Sequence, residues 1–350
     1  MSGGVDSSVA AALMTREGHQ VVGCTLKLWG GPSDSGCCSV ADVEDARRVA
    51  QVLGIDHHVF NLSEEFEVGV VAPYVAAHER GTTPNPCIEC NRTIKFDALA
   101  GRAARLGFDA VATGHHARVT RGPDGFELRR GADRAKDQSY VLGFLGSDAL
   151  SRIVLPVGEM AKSRVRQIAA DMGLRTADKP DSQEVCFIPR GGRTSFLHGR
   201  ARLTEATVVD VESGEELGTV PAAQLVTVGQ RRGVARGVDG APRFVSRVDV
   251  GAGRVYVGRR DAVLIERIGL VERSWTWARA PRRAGDRVLV QTSAHGAPSP
   301  ATISSGPRGL GLVLDHAVRP VAAGQTAVLY DPIDQDLVVG TAIVAQLAAA

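Results

Sequence analysis

The chain has 350 residues, room for two or three domains and a sizeable core. It contains no run of eighteen apolar residues and its formal net charge is only +2. A membrane-spanning helix is thereby excluded, and a soluble cytoplasmic protein with no membrane partner is expected. Charge is unevenly spread. Residues 1–120 hold 10 Lys/Arg against 14 Asp/Glu, residues 121–200 hold 14 against 10, and residues 201–350 hold 17 against 15. The basic middle suits a polyanionic partner, and equally an ordinary solvated surface. Of 41 basic residues only five are lysine: Lys27, Lys95, Lys136, Lys162 and Lys179. A lysine kept in an arginine-using chain is a candidate for a specific task, because its ammonium is a compact point charge.

The first stretch, Ser2-Gly3-Gly4-Val5-Asp6-Ser7-Ser8, precedes the apolar run Val9–Met14. Paired glycines bend the backbone and bring N–H groups near a ligand. A helix that starts just after them adds its positive end, which makes an anion cradle suited to phosphate. No Gly-Lys-Ser/Thr follows, so this is not the Walker loop. It is the pyrophosphate-loop pattern of enzymes that split ATP into AMP and pyrophosphate. Such a loop normally follows a buried apolar strand at the centre of the sheet. Here Met1 directly precedes Ser2, and the expectation is that the natural start lies upstream.

Residues 20–28 read as a buried strand, 42–53 as a helix, 56–61 as a strand, and 64–79 as a helix broken near Pro73. This alternation predicts a parallel α/β sheet. An extended Thr82–Pro86 loop then leads into a helix over about 91–106. That places Cys90 near a helix N-terminus, where a thiol ionises more easily. Residues 109–116 read as a strand ending in a polar turn, so Gly114 and His115 face the ligand side of the sheet. Gly122-Pro123-Asp124-Gly125 is a hairpin turn, Arg130–Tyr140 a polar loop, and 159–172 a helix closed by Gly173. From about residue 200 the texture turns to short strands, including 207–210, 216–220, 225–233 and 254–258. The later ones, at 287–291, 301–303, 311–314, 326–330 and 338–340, suggest a small β-barrel. The expected domains are an ATP-binding catalytic domain over 1–199, a β-rich central domain over 200–265 and a barrel over 266–350.

Six cysteines are present: Cys24, Cys37, Cys38, Cys87, Cys90 and Cys186. In a reducing compartment catalysis or metal binding is expected of them rather than structural bridging. The adjacent pair Cys37-Cys38 reads as structural.

Taken together, Ser2–Ser8, Asn85–Phe96, Ala112–Arg118, Lys136–Tyr140, Leu155–Glu159, Asp181–Ile188, Val228–Gly233 and Gly324–Tyr330 resemble the tRNA-specific 2-thiouridylases. The resemblance implies an enzyme that uses ATP, with Mg2+ expected, to replace the C2 oxygen of the wobble uridine of tRNA with sulfur. Adenylylation makes that oxygen a leaving group, and sulfur delivery needs a thiol that carries a second sulfur. By resemblance, Cys186 is the persulfide carrier and Cys90 the second catalytic cysteine, the two ending a turnover as a disulfide. An upstream persulfide protein would donate the sulfur. Ser2, Gly3, Gly4, Val5, Asp6, Ser7, Ser8, Leu26 and Gly114 match ATP-binding positions. Asn85, Pro86 and Cys87 match a stretch that meets the target base. His115, Lys136, Asp137, Gln138 and Gln325 match tRNA-binding positions. Many members have Asp where this chain has Cys87, which leaves one proton transfer unassigned. Ser293-Ala294-His295 stands where the barrel can offer an Arg-Tyr pair. Three alternatives remain open: an iron–sulfur cluster on Cys87, Cys90 and Cys186, a pyrophosphate-loop amidotransferase or ligase acting on a small molecule, and an inactive RNA-binding protein.

Overall fold

A computed structural model describes residues 1–28, 39–181, 185–188, 192–306 and 309–346. Cys37 and Cys38, and Ser182–Glu184 of the third cysteine motif, lie outside them. The chain divides into two compact units: Met1–Val71 with Pro86–Arg190 and Asp336–Val338, and Ala72–Asn85 with Gly191–Gln335 and Val339–Ala350.

The first unit opens on α1 (Val5–Arg16), whose residues Val9, Ala10 and Ala12 are almost wholly buried. A helix apolar on every face belongs inside a core. Strand β1 (Val22–Lys27) runs parallel to β2 (Asp56–Asn61) through the crossover helix α2 (Val40–Leu53). Ser39 and Asp42 form a capping box at the start of α2, and Gly54 ends it in the left-handed conformation at φ 67°. The break expected near Pro73 takes the form of α3 (Ser63–Phe66), a widened π turn over Glu67–Val71, and α4 (Ala72–Glu79), whose residues belong to the second unit. Pro73 has no N–H to give to the carbonyl four residues back, so the turn before it widens.

The next helical run is continuous from α5 (Pro86–Glu89) through a π segment, Cys90–Leu99, into α6 (Ala100–Arg105). It starts about five residues earlier than expected. Cys87, exposed, therefore occupies the first turn, while Cys90 lies in the second turn and is buried. The helix-terminus argument thus passes from Cys90 to Cys87. Strand β3 is only Val111–Ala112. Strands β4 (Ala117–Gly122) and β5 (Gly125–Arg130) form the expected hairpin, with Gly122 opposite Gly125 across Pro123-Asp124. After α7 (Ser147–Leu150), β6 (Ile153–Val154) pairs parallel with β3. Helix α8 (Lys162–Asp171) begins three residues later than expected, where the backbone N–H of Lys162 donates to Asp133 at 2.9 Å. The parallel order is that of an α/β domain, but its hydrogen bonds fall into two separate pairs, β1·β2 and β3·β6. Val5, Val9 and Ala10 pack with Val49, Val165 and Ile168, so α1 sits between α2 and α8.

In the second unit, α9 (Gly192–His198) packs Phe196 edge-on against Tyr74 of α4. A four-stranded sheet follows, ordered β8 (Glu216–Val220), β7 (Ala206–Asp210), β10 (Arg254–Gly258), β9 (Phe244–Asp249). The expected strand at 225–233 is instead a looped segment, with Gly229 and Gly233 at φ 83° and 73°. Such values suit glycine and break a ladder. Strand β9, absent from the sequence reading, takes its place in the sheet. The remaining strands are β11 (Ile265–Gly269), β12 (Thr276–Trp277), β13 (Arg287–Gln291), β14 (Ser299–Gly306), β15 (Gly309–Val318), β16 (Thr326–Tyr330) and β17 (Val338–Ile343). They form one sheet in the order β11-β15-β14-β13-β16-β17-β12. Val271 N–H donates to Ile343 at 2.9 Å and Ala345 N–H to Gly269 at 2.8 Å. These bonds join the end of β11 to the end of β17 and close the expected barrel.

Candidate active site

The Ser2–Ser8 loop turns on Gly3 at φ 69°, where an added Cβ would lie 2.4 Å from the Asp42 carbonyl oxygen. Only glycine fits both that conformation and that approach. Gly4 caps α1 without any side-chain hydrogen bond to the helix, so the first N–H groups of α1 are left to other acceptors. Ser7 Oγ accepts from Ser2 N–H at 3.0 Å and donates to the Gly4 carbonyl at 3.1 Å. Ser8 Oγ donates to the same carbonyl at 2.9 Å and is fully buried. Val5 points into the core. Within the loop, Val5 and Ser8 therefore shape the turn, while Ser2, Gly4, Asp6 and Ser7 line its accessible side.

Gly114 stands directly against the loop. A Cβ there would come 2.5 Å from the Asp6 carbonyl carbon and 2.6 Å from Ser7 N. Leu26 lies half-buried on β1. His115 is buried, with Nδ1 2.8 Å from Thr113 Oγ1 and its ring near Phe96. Burial, aided by Lys95 and His116, holds its pKa well below the usual 6.5, so the imidazole is neutral.

Asp6 is the centre of the charge network. Lys162 Nζ donates to its two oxygens at 2.6 and 2.8 Å, and His116 Nε2 lies 3.0 Å from Oδ1. Burial pushes the carboxyl upward, but bonds from His116 and Lys162 outweigh it and hold the pKa below the ordinary value. Lys162 also reaches Asp181 Oδ1 at 2.9 Å, which Arg166 meets at 2.8 Å, while Lys136 meets Oδ2 at 2.9 Å. Despite partial burial, Lys136 and Lys162 pull the Asp181 pKa down to about 2. Lys179 donates to the Gly3 carbonyl at 2.9 Å and to Asp42 and Asp45 at 2.7 Å each. Two of the five lysines, Lys162 and Lys179, thus bond the loop from distant segments, Lys136 joins the network through Asp181, and Lys95 acts on His115 beside it. His116 and Asp181 were not singled out from sequence. The scarcity of lysine was the signal that pointed toward Lys162 and Lys179.

Other positions keep to their own roles. Asp137 accepts from Gly131 and Ser139 backbone N–H groups at 2.9 and 3.0 Å, and the Gln138 side-chain oxygen accepts from His116 N–H at 2.8 Å. Both groups therefore hold the polar loop to the chain itself, and of Lys136–Gln138 the Lys136 and Gln138 residues are exposed while Asp137 is half-buried. Cys186 is half-buried in a short turn, beside Phe187, which packs edge-on against Phe66 at 5.6 Å. Cys24, Cys87, Cys90 and Cys186 are not joined in a disulfide. The Cys90–Cys186 disulfide implied by the resemblance is not formed. Among the described residues no three His, Cys, Asp or Glu side chains converge in a metal-holding group. Pro86 is buried at the start of α5. In the second unit Gln325 Nε2 donates to the Thr83 carbonyl at 2.5 Å, and Thr83 N–H donates to Ala323 at 2.8 Å, which anchors the loop that runs into Asn85.

These features define a nucleotide-binding α/β domain followed by a β-rich domain and a β-barrel. Family models match in the same order: a tRNA methyl transferase HUP domain over residues 1–190, a tRNA methyl transferase PRC-barrel domain over 194–259, and an aminomethyltransferase beta-barrel domain over 267–344. The chain is 46% identical over 338 residues to the tRNA-specific 2-thiouridylase MnmA of Acidothermus cellulolyticus, covering 94% of this chain and 92% of that protein. The counterparts of the same name from Chloroflexus aurantiacus and Mycobacteroides abscessus are 45% and 44% identical, over 94% and 98% of this chain and 93% and 98% of theirs. Among solved structures, an NMN synthetase from Francisella tularensis gives a TM-score of 0.30 at 21% identity, over 52% of this chain and 64% of that one, too weak a likeness to bear weight. The chain belongs to the tRNA-specific 2-thiouridylase family, a family of enzymes. No helix among the described residues is long and apolar enough to cross a membrane.

Proposed function

We propose that this protein thiolates the wobble uridine of tRNA at C2, using ATP and releasing AMP and pyrophosphate. The observation that carries the reading is the Ser2–Ser8 loop, pressed against Gly114 and held by Lys162 and Lys179. A Cβ at Gly3 or Gly114 would break this cradle, and the start of α1 is left uncapped. That chemistry fits a nucleotide's phosphates. Ser2, Gly4 and Ser7 would hold them, with Leu26 and Gly114 beside the nucleotide. Mg2+ would accompany the nucleotide's phosphates, since the carboxylate oxygens of Asp6 and Asp181 are already bonded by Lys162, His116, Arg166 and Lys136. ATP supplies the adenylyl group that turns the C2 oxygen into a leaving group.

The remaining chemistry falls to thiols. Cys186 carries a terminal sulfur received from a persulfide donor protein, and that sulfur forms the new bond to C2 as the C2–O bond to AMP breaks. Cys90 takes the Cys186 sulfur as the S–S bond breaks, and an external thiol reduces the pair. Asn85, Pro86 and Cys87 would meet the base, His115 and Lys136–Gln138 would flank the bound RNA, and Gln325 would reach it from the barrel. An unstacked loop base suits this mode of reading. Methyl transfer, named in the family-model descriptions, requires neither a phosphate cradle nor paired thiols.

ATP–pyrophosphate exchange measured with and without unmodified tRNA, alongside mass analysis of the tRNA nucleosides, tests the reading. Exchange that depends on tRNA, and 2-thiouridine formed when a persulfide donor is added, is the expected result. Exchange independent of tRNA would point to a small-molecule ligase, and no exchange to an inactive RNA-binding protein.

A further inference from the structure

The segment Val228–Gly233 carries a recognisable motif to which the reaction above assigns no task. Its backbone is fastened from inside. The Gln230 side-chain oxygen accepts from Thr227 N–H at 3.0 Å, and its Nε2 donates to the Arg232 carbonyl at 2.8 Å. Gly229 N–H donates to Val245 at 2.7 Å, and Val245 N–H returns a bond to Gln230 at 2.9 Å. With its polar interior satisfied, the loop turns Arg231 and Arg232 outward, both exposed.

Two clefts of the second unit meet at Arg231. One, of about 250 Å³, is walled by Arg231, Arg260 and Arg319 over the apolar Phe244 and Leu264. The other, of about 490 Å³, is walled by Arg231, Arg232 and Arg236. No carboxylate lines either cleft. Among the described residues Arg231, Arg232, Arg260 and Arg319 have no acidic partner, and Arg236 donates only to the Gly240 carbonyl at 3.0 Å. The arginines next to them are neutralised: Arg243 by Asp210 at 2.6 Å, and Arg259 by Asp239 at 2.7 Å. Among the described residues, five guanidinium groups without an acidic partner line two clefts that share Arg231, a surface for a chain of anions.

We propose that these clefts hold the phosphate backbone of the tRNA, a docking surface in the central domain that fixes the RNA's placement without reading its bases. The proposal rests on the thiolation reading above. Guanidinium forks match phosphate oxygens, and such contacts supply affinity and register rather than sequence choice. Each neutralised phosphate releases counterions, so each arginine leaves a mark on the salt dependence of binding.

The test is the affinity of the full chain for unmodified tRNA, by fluorescence anisotropy, across salt concentrations from about 50 to 200 mM. The triple variant R231Q/R260Q/R319Q should weaken binding about tenfold or more and lower the log K against log salt slope by about 2–3. R231K/R260K/R319K, with charge kept, should stay near the wild-type slope, and the single variant R231Q should lower it by about one. A triple glutamine variant with the wild-type slope and affinity would overturn the proposal and leave the clefts to an acidic protein partner. A wild-type chain that does not bind tRNA at all would sink the thiolation reading and this proposal together. Tenfold weaker binding in the glutamine variant alone supports both.

Discussion

Lys162 donates to both carboxylate oxygens of Asp6, at 2.6 and 2.8 Å, across 156 residues of sequence. The bond ties the start of α8 to the first turn of α1, and it holds the loop's only carboxylate in a fixed, ionised form. Lys162→Ala leaves Asp6 with His116 alone. We expect ATP turnover to fall about 10²-fold, the scale on which one preorganised charged contact acts, with tRNA affinity unchanged. Lys162→Arg should not rescue it, because a planar fork does not replace a compact ammonium bridging Asp6 and Asp181. Equal loss of tRNA binding and ATP turnover would mean that the network is structural.

Gly114→Ala places a methyl carbon 2.5 Å from the Asp6 carbonyl carbon, against backbone that cannot swing aside. Overpacking of this kind costs about 1–3 kcal/mol. Thermal unfolding with and without ATP separates the two effects. The melting midpoint should drop without nucleotide, and the stabilisation gained from ATP should largely disappear.

Cys186→Ser should abolish 2-thiouridine formation while tRNA-dependent pyrophosphate exchange persists, because the phosphate cradle is untouched. Cys90→Ser should permit persulfide loading of Cys186, detectable by mass, but block turnover. Thiolated tRNA from the Cys186→Ser variant would remove that residue from the mechanism.

His115 gives the protein a pH dependence of known sign. The unfolded chain takes up its proton near pH 6.5, while burial lets the folded chain do so only well below that value. Between the two the unfolded chain binds more protons, so stability is full above about pH 6.5 and falls as pH drops below it. Asp181 works in a lower window. Its contribution is present above its ordinary pKa and is lost only as pH falls through about 2. We expect the melting midpoint to decline between about pH 7 and 5, and His115→Gln to flatten that decline. An unchanged slope in the variant would assign the decline to other histidines, of which His57 and His78 also have lowered pKa values.

Much of this protein was determined by sequence alone. The cradle was legible because glycine freedom and a helix start are local properties, fixed by a few adjacent residues. Strands 287–291 and 326–330 were placed to the residue, since each is a short apolar run bounded by turn residues. Tertiary structure decided the rest. Only folding could join Lys162, His116 and Asp181 around Asp6, because each lies more than a hundred residues away along the chain and carries no local mark of its partner. It decided that Cys90 is buried in a second helical turn while Cys87 takes the first, because the run begins at Pro86, whose missing N–H is harmless there. It also made residues 225–233 a loop rather than a strand. Their apolar run satisfies a strand pattern, but two glycines at positive φ and the inward-bonded Gln230 set the backbone in turns. Local chemistry specified the parts, and long-range contacts chose which side chains share a site.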